Sequence, residues 1–277
     1  LGGPVYIPGH YNTDKSKTFF FWSEEWRRYR QGTVISAGVP SLLMRQGNFS
    51  ECDKASSNYN PVVQSGCAVP LNPSTGKAFT GDTVPINANA QALLNSLVPL
   101  PNNGVIGYVN APSLPTNWRE DEIRVDHNVS DKTRVFARYT QDTWNTIASP
   151  SLWTSSVYDT IQTPFNGPAK SAVLNVTHNF KPNLLNEFVM GFTEDQIFLY
   201  NKVGASSPSG SINKPSNWSE NNLFPANAGN PLLPAVSVSG GLPFSFTEDA
   251  SNHPWFNSNP IITWKDNLAW VHGAHTT

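Results

Sequence analysis

Segments in which apolar and polar residues alternate constrain the fold of this chain more than any other feature. In the clearest of them, Ile123 and Val125 share one parity, whereas Arg124 and Asp126 share the other. A period of two residues is that of a β-strand with one apolar and one polar face. Six such strands are predicted, near residues 18–29, 118–129, 133–144, 169–180, 184–198 and 260–271. Helical periodicity is scarce, and one short helix is predicted from Asn89 to Val98.

Short and long connections alternate between these strands. Tight turns are predicted near residues 130–133 and 181–183, whereas the segments 30–117, 145–168 and 200–259 are long. Outer-membrane barrels have this asymmetry, with short periplasmic turns and long extracellular loops. The pattern therefore predicts an all-β fold, an antiparallel up-and-down transmembrane β-barrel with long extracellular loops. A soluble β-sandwich stays open as the alternative, because its half-buried strands alternate in the same way.

The number of predicted strands indicates an incomplete barrel. Six strands are fewer than the roughly eight of the smallest bacterial membrane barrels. An open sheet would leave backbone groups unsatisfied in lipid, each at a cost of several kcal/mol. We therefore expect the chain to be a fragment of a larger barrel.

Composition and charge exclude some classes of function. Charged residues make up 14% of the chain, well below the roughly 25% of a typical soluble domain. The formal net charge is −2 and there is no basic run, so no nucleic-acid partner is expected. Aromatic residues reach 12%, including nine Trp, which suits a protein that crosses a membrane interface. No apolar run is long enough for a transmembrane helix.

The two cysteines, Cys52 and Cys67, lie in a stretch rich in Ser, Asn and Pro. A pair in such a loop-like setting favours a disulfide and an oxidising compartment. Two unpaired thiols are the alternative. The pattern offers no buried-core reason for either cysteine.

Short segments spread over nearly the whole chain share their order and spacing with one known family. They are LGGPV at 1–5, KTFFFW at 17–22, VP at 39–40, MRQGNFS at 44–50, NPSTGKAF at 72–79, VP at 84–85, LPN at 100–102, RVDH at 124–127, RY at 138–139 and KDNLAW at 265–270. Together they resemble the TonB-dependent outer-membrane receptors of the Oar-like type. The segment between Cys52 and Cys67 has no counterpart in the family pattern, and the TonB box and nearly all of the plug are missing.

The resemblance implies a transport function. Residues 1–16 would be the end of the plug and the plug–barrel junction, and residues 17–277 the N-terminal part of the barrel. The function implied is energised passage of a surface-bound ligand through a plugged barrel in the outer membrane of a Gram-negative bacterium. The partners implied are outer-membrane lipid, TonB in the periplasm and an unknown extracellular ligand, and no cofactor is expected.

Two sets of residues follow as candidates. Loop aromatics could stack on a flat ligand, and they are Trp144, Trp153, Trp218 and Trp255. The apolar parity of the strands would face lipid, at Ile123, Val125, Ala172, Leu174, Val176, Phe188, Phe192, Trp264 and Trp270. A soluble module would instead bury these nine side chains against a second sheet.

Catalytic and metal sites are not predicted. The neighbouring carboxylates of Glu24 and Glu25, like those at 121–122 and 248–249, would point to opposite faces of a strand, so they cannot act as an acid–base pair. His272 and His275 lie in a turn without a nearby carboxylate ligand, which disfavours zinc. The chain is therefore expected not to be an enzyme. The alternative functions are a secreted β-rich carbohydrate-binding or adhesive module and, less favoured, a polysaccharide-degrading enzyme.

Overall fold

The computed structural model describes residues 1–219, 231–239, 246–250 and 253–276. Part of the third predicted loop, together with Thr277, lies outside these residues. The strands are β1 (Gly2–Pro4), β2 (Thr18–Gly32), β3 (Ile35–Gly38), β4 (Gly107–Asn110), β5 (Ser113–Ser130), β6 (Thr133–Ala148), β7 (Ile161–Asn166), β8 (Ala169–Lys181), β9 (Leu184–Leu199), β10 (Lys202–Val203), β11 (Val236–Val238), β12 (Phe246–Glu248), β13 (Trp255–His272) and β14 (His275–Thr276). The helices are α1 (Pro61–Gln64) and α2 (Ala88–Leu97), with 3₁₀ turns at Met44–Gln46, Ser50–Cys52 and Thr80–Asp82.

One large antiparallel sheet contains the six long strands, in the order β2-β5-β6-β8-β9-β13. Since this is their order along the chain, the predicted all-β antiparallel arrangement is confirmed. The short strands β1 and β14 pair with β2 and β13 at the two edges of the described sheet. The strand β7 pairs with β6 and β9 beyond the end of β8. Closure of the sheet into a barrel stays a prediction.

Several strands extend further toward the long connections than the alternation predicts. β5 begins at Ser113 instead of 118, β6 ends at Ala148 instead of 144, and β13 begins at Trp255 instead of 260. These extensions are rich in Asn, Ser and Thr and lack an apolar parity. Pairing needs only backbone groups, as between Ser258 and Gln196, so the side-chain pattern does not reveal them.

The register gives the sheet two different faces. One face, called here the apolar face, carries two adjacent rows, Trp22–Ile123–Tyr139–Ala172–Phe192–Ile262 and Phe20–Val125–Ala137–Leu174–Met190–Trp264. The other, the polar face, carries at the same level the rows Phe21–Arg124–Arg138–Val173–Gly191–Thr263 and Ser23–Glu122–Thr140–Ser171–Thr193–Ile261. Among these four rows, the charged residues all lie on the polar face.

The three long connections form a folded cap at one end of the sheet. The cap is defined as the described residues within 33–112, 149–160 and 200–254. Its main core contains Val39 and Val63 of the first connection, Tyr158 of the second and Phe246 of the third. A second cluster joins Leu97 to residues of β7 and of the third connection. Because one core draws on all three connections, they leave the sheet at the same end, as predicted.

The long connections have a buried core, which the sequence analysis did not predict. Cys52 is buried within the main core and is joined by a disulfide to Cys67, with Cα atoms 5.7 Å apart. A buried-core role for this cysteine therefore exists, contrary to the sequence analysis. The apolar residues of the first connection are scattered without a period, so they give no local signal.

The helix α2 lies one residue earlier than predicted. The side chain of Asn87 accepts hydrogen bonds from the N–H groups of Asn89 and Ala90, which caps the helix at its N-terminus. Val98 leaves the helical conformation before Pro99, as expected for a residue that precedes proline. In the described part of the chain no helix has both the length and the apolar character required to span a membrane.

Candidate ligand-binding cap

The four candidate tryptophans do not form one cluster. The rings of Trp153 and Trp255 lie edge to face with centroids 6.0 Å apart, and both side chains are about half exposed. Trp144 contacts Phe165 with ring centroids 4.7 Å apart. Trp218 packs against the second cluster of the cap. The structure therefore brings together one exposed pair, Trp153 and Trp255.

Neither Trp144 nor Trp255 is a loop residue. Trp144 lies inside β6 and pairs with Trp118 of β5, and Trp255 is the first residue of β13 and pairs with Leu199. Trp144 was predicted as the last residue of its strand and was nevertheless named among the loop aromatics, whereas Trp255 was predicted in the long connection because the polar sequence around it does not alternate. They lie on the polar face of the sheet, close to the cap end.

An apolar groove in the cap is a better candidate for a binding site. Its volume is about 380 Å³, and it lies between the first and third connections. The lining residues are mostly apolar: Pro40, Met44, Phe49, Val84, Pro85, Ile86, Leu93, Leu94, Val98, Val236, Val238 and Phe246, with Gly47, Ala90, Arg45, Asn87 and Gln91. Sites for small molecules are typically concave, mostly apolar and supplied with a few polar groups. The sequence analysis missed this groove because its lining comes from separate segments.

The polar group deepest in this lining is Arg45, which is 6% exposed. Its guanidinium donates to the carbonyl oxygens of Leu94 at 2.9 Å and Pro99 at 3.3 Å, at the C-terminal end of α2. A cation at a helix C-terminus is favoured by the helix dipole. Burial lowers the pKa of Arg45, and the charge of Tyr158 opposes this. Arg45 has no ion-pair partner among the residues that the structure describes.

Buried polar contacts hold the three connections together. Asp159 of the second connection is buried and accepts hydrogen bonds from the hydroxyl of Tyr108, at 2.5 Å, and from the amide of Asn110. Burial, followed by the bond to Asp159, raises the pKa of Tyr108 to about 12. The side chain of Thr160 donates to the carbonyl oxygen of Leu97 at 2.7 Å. These bonds fix the second connection against the first.

Glu248 fixes the second connection against the third. Its Oε1 accepts the N–H groups of Val157 at 2.8 Å and Tyr158 at 2.7 Å. The side chain is fully buried, and this burial raises the pKa of Glu248 to about 8. Its sequence neighbour Asp249 donates its backbone N–H to Ser156 at 3.1 Å. Glu248 and Asp249 therefore both take part in the contacts that join the second and third connections.

A sheet with one apolar and one polar face, capped at one end by long connections, is the arrangement of a membrane barrel wall. A family model described as an outer membrane beta barrel domain matches residues 1–277. The chain belongs to this family. It is therefore a protein of the outer membrane of a Gram-negative bacterium. No curated protein and no solved structure matches it.

The wall of an outer-membrane barrel has one face toward lipid and one toward the lumen. All nine residues predicted to face lipid lie on the apolar face of this chain, by the register of β5, β8, β9 and β13. Contact of that face with lipid stays a prediction. Among the described residues there is no group of three or more His, Cys, Asp or Glu side chains that could hold a metal ion.

Proposed function

We propose that this outer-membrane barrel protein is a TonB-dependent receptor, in which the described sheet is part of the wall and the cap binds a ligand at the cell surface. The observation that carries the proposal is the cap itself. Three long connections share one core, and the first and third of them enclose an apolar groove at the end opposite the tight turns. A barrel that served only as an open pore would not need such a folded surface, whereas a receptor needs a preformed site.

The polar face suits a lumen that is filled by a plug. Arg124 donates to both carboxylate oxygens of Asp126, at 2.7 and 2.8 Å, and lies over the ring of Phe136 at 4.2 Å. Arg138, directly opposite Arg124 in register, has no hydrogen-bond or ion-pair partner in the described part of the chain. An unpaired arginine at the middle of this face is suited to bind a carboxylate of a segment inside the barrel.

The groove suggests the class of ligand. Its walls are apolar apart from Arg45, Asn87 and Gln91. A ligand with an apolar body and one acidic group would match this lining, since a guanidinium surrounded by neutral acceptors can still pair with an anion. The exposed pair of Trp153 and Trp255 offers a second contact surface for a flat ligand.

Binding and passage of a ligand need no covalent chemistry in this proposal. In the register, Glu24 faces Asp121 on the apolar face, and Glu25 faces Glu120 on the polar face. The adjacent pair is therefore split between the two faces of the sheet. We propose that the protein is not an enzyme. Membership of an outer-membrane family also argues against the alternative of a secreted adhesive module.

Crosslinking in the full-length receptor tests the plugged-barrel proposal. Cysteine is introduced at Arg138 on the polar face or, as the matched control, at the neighbouring Ala137 on the apolar face. Each variant is coupled to a photoreactive maleimide in lipid bilayers, since Cys52 and Cys67 are bonded to each other. We expect the Arg138→Cys protein to give intramolecular crosslinks to a segment outside the wall, and the Ala137→Cys protein to give lipid adducts.

Binding of TonB is measured on the same preparations. The isolated periplasmic domain of TonB should bind the unmodified full-length receptor in bilayers, and it should not bind protein-free bilayers. The proposal fails if the Arg138→Cys protein gives only lipid adducts, as the Ala137→Cys protein should, or if the TonB domain does not bind.

A further inference from the structure

The apolar face contains a depression where small side chains are surrounded by large ones. Ala137 and Ala172 occupy the centre of the two apolar rows. The depression has a volume of about 360 Å³, and its other walls on the apolar face are Ile123, Val125, Tyr139, Leu174, Met190 and Phe192. Arg138, Val173 and Gly191, which the register places on the polar face, also line it. A smooth lipid-facing surface would need no such depression. Its shape and almost wholly apolar lining suit one acyl chain packed along the wall.

A polar cavity continues this depression toward the cap. It has a volume of about 220 Å³ and shares Tyr139 with the apolar depression. Lys170 lies in it, 2.7 Å from Glu194, which also accepts bonds from Gln196 and Ser258 at 2.8 Å each. The same face therefore changes from apolar to polar within one cavity system, as it must where a lipid tail meets its headgroup.

An arginine-lined cavity lies beside the polar one and shares Thr143 with it. Its volume is about 320 Å³, and the side chains that line it are Trp26, Trp118, Arg28, Arg30, Asn117, Arg119, Thr143 and Asn145. Apart from Trp118, these residues lie on the apolar face, at its cap end. Trp26 is 61% exposed, and an exposed Trp of a membrane wall typically marks the level of the headgroups.

The charges in this cavity are not balanced. Arg119 is paired with Glu24 at 2.7 Å and with Asp121 at 3.0 Å. Arg30 is held by neutral acceptors, the carbonyls of Tyr29 and Thr116 and the side chain of Asn117. Arg28 has no carboxylate within ion-pair distance in the described ranges. Two cations therefore remain uncompensated just above Trp26.

We propose that this surface binds a phosphorylated glycolipid of the outer leaflet, with an acyl chain in the depression at Ala172 and a phosphate on Arg28 and Arg30. Three strand spacings separate β2 from β8, about 14 Å, which favours a wide sugar headgroup over that of a simple phospholipid. Guanidinium groups suit phosphate because they donate two parallel hydrogen bonds. The inference rests on the proposed orientation of the apolar face toward lipid.

Native mass spectrometry of the full-length protein in detergent tests the site. The probes are diphosphoryl lipid A, its dephosphorylated form, phosphatidylcholine and inorganic phosphate. We expect retained adducts of diphosphoryl lipid A only. The variant with Arg28→Gln and Arg30→Gln should lose affinity by about twenty-five-fold, at about fivefold for each arginine near a charged lipid surface. Ala172→Phe should fill the depression and also weaken binding.

Arg27→Gln is the matched control, because Arg27 lies at the same level of β2 but on the polar face. This variant should retain the affinity of the unmodified protein. Equal losses in Arg27→Gln and in the double variant, or equal retention of the phosphorylated and dephosphorylated lipids, would overturn the proposal. Binding of inorganic phosphate alone, with no lipid adduct, would also overturn it. None of these measurements depends on TonB, so they are independent of the transport proposal.

Discussion

Replacing Glu248 by glutamine gives a direct test of how the cap is held together. The Oε1 atom of Glu248 accepts two backbone N–H groups from the second connection. Its Oε2 atom is buried and makes no hydrogen bond of good geometry in the described part of the chain, although the side chain of Ser156 lies close enough to lower the pKa of Glu248. Glutamine keeps the size and the accepting oxygen of the side chain. It removes the titration and places an amide NH2 group where one carboxylate oxygen was.

The sign and size of the effect follow from the pKa of Glu248. Burial raises this pKa from 4.5 to about 8, and the two backbone hydrogen bonds partly oppose the rise. Between these values the folded cap binds a proton that the unfolded chain releases. The free energy of unfolding of the cap therefore falls as the pH rises from 4.5 to 8 and stays low above 8. The difference between the two pKa values limits this fall in the free energy of unfolding to about 5 kcal/mol. Glu248→Gln should abolish this fall.

Hydrogen exchange measured by mass spectrometry reports the stability of the cap. Protection of the peptide that contains Tyr158, corrected for the intrinsic exchange rate, is compared at acidic and basic pH in the full-length protein. The bound of about 5 kcal/mol corresponds to a drop in wild-type protection of at most about 10³- to 10⁴-fold, whereas protection of Glu248→Gln should drop by less than about threefold. Asp131→Asn, in the tight turn at the other end of the sheet, should behave as wild type. An equal drop in wild type and Glu248→Gln would refute the reasoning, as would constant wild-type protection.

Two further predictions concern the disulfide and the orientation of the sheet. Reduction of the bond between Cys52 and Cys67 should destabilise the cap by about 3 kcal/mol, because the unfolded chain gains conformational entropy when the bond is opened. Limited proteolysis with and without reductant measures this loss of stability. An unchanged cleavage rate would contradict the prediction. Leu174→Arg should cost about 2–4 kcal/mol of folding free energy in a bilayer, and Val173→Arg on the polar face much less. Urea unfolding in lipid vesicles measures both, and equal costs would show that the apolar face does not contact lipid.

The membrane wall could be predicted from the sequence because its signal is local. Alternation around Ile123 and the turn chemistry at Asp131 fix two strands and their register without reference to the rest of the chain. The start of β13 could not be found in this way. The residues from Asn257 to Pro260 do not alternate, and they join the sheet through backbone pairing with β9.

The cap could not be predicted because its contacts are distant in sequence. Val39, Tyr158 and Phe246 share one core although more than eighty residues separate each from the next. No single connection has a periodic apolar pattern, so each one resembles a loop when it is considered alone. Glu248 is an example: a glutamate is expected to be exposed, and only the folded structure shows that this one is buried.

Tyr158 explains how these connections can act as one unit. Its hydroxyl donates to the carbonyl of Gly38 in the first connection, its N–H donates to Glu248 in the third, and its ring lies 5.7 Å from that of Phe246. Three residues later the chain enters β7, which pairs with β6 and β9 of the wall. A ligand bound in the groove, as proposed above, would touch the first and third connections, so any displacement of one against the other would strain the bonds of Tyr158. Because these bonds are buried and satisfied, their loss is costly, and the cap should respond to a ligand as a whole.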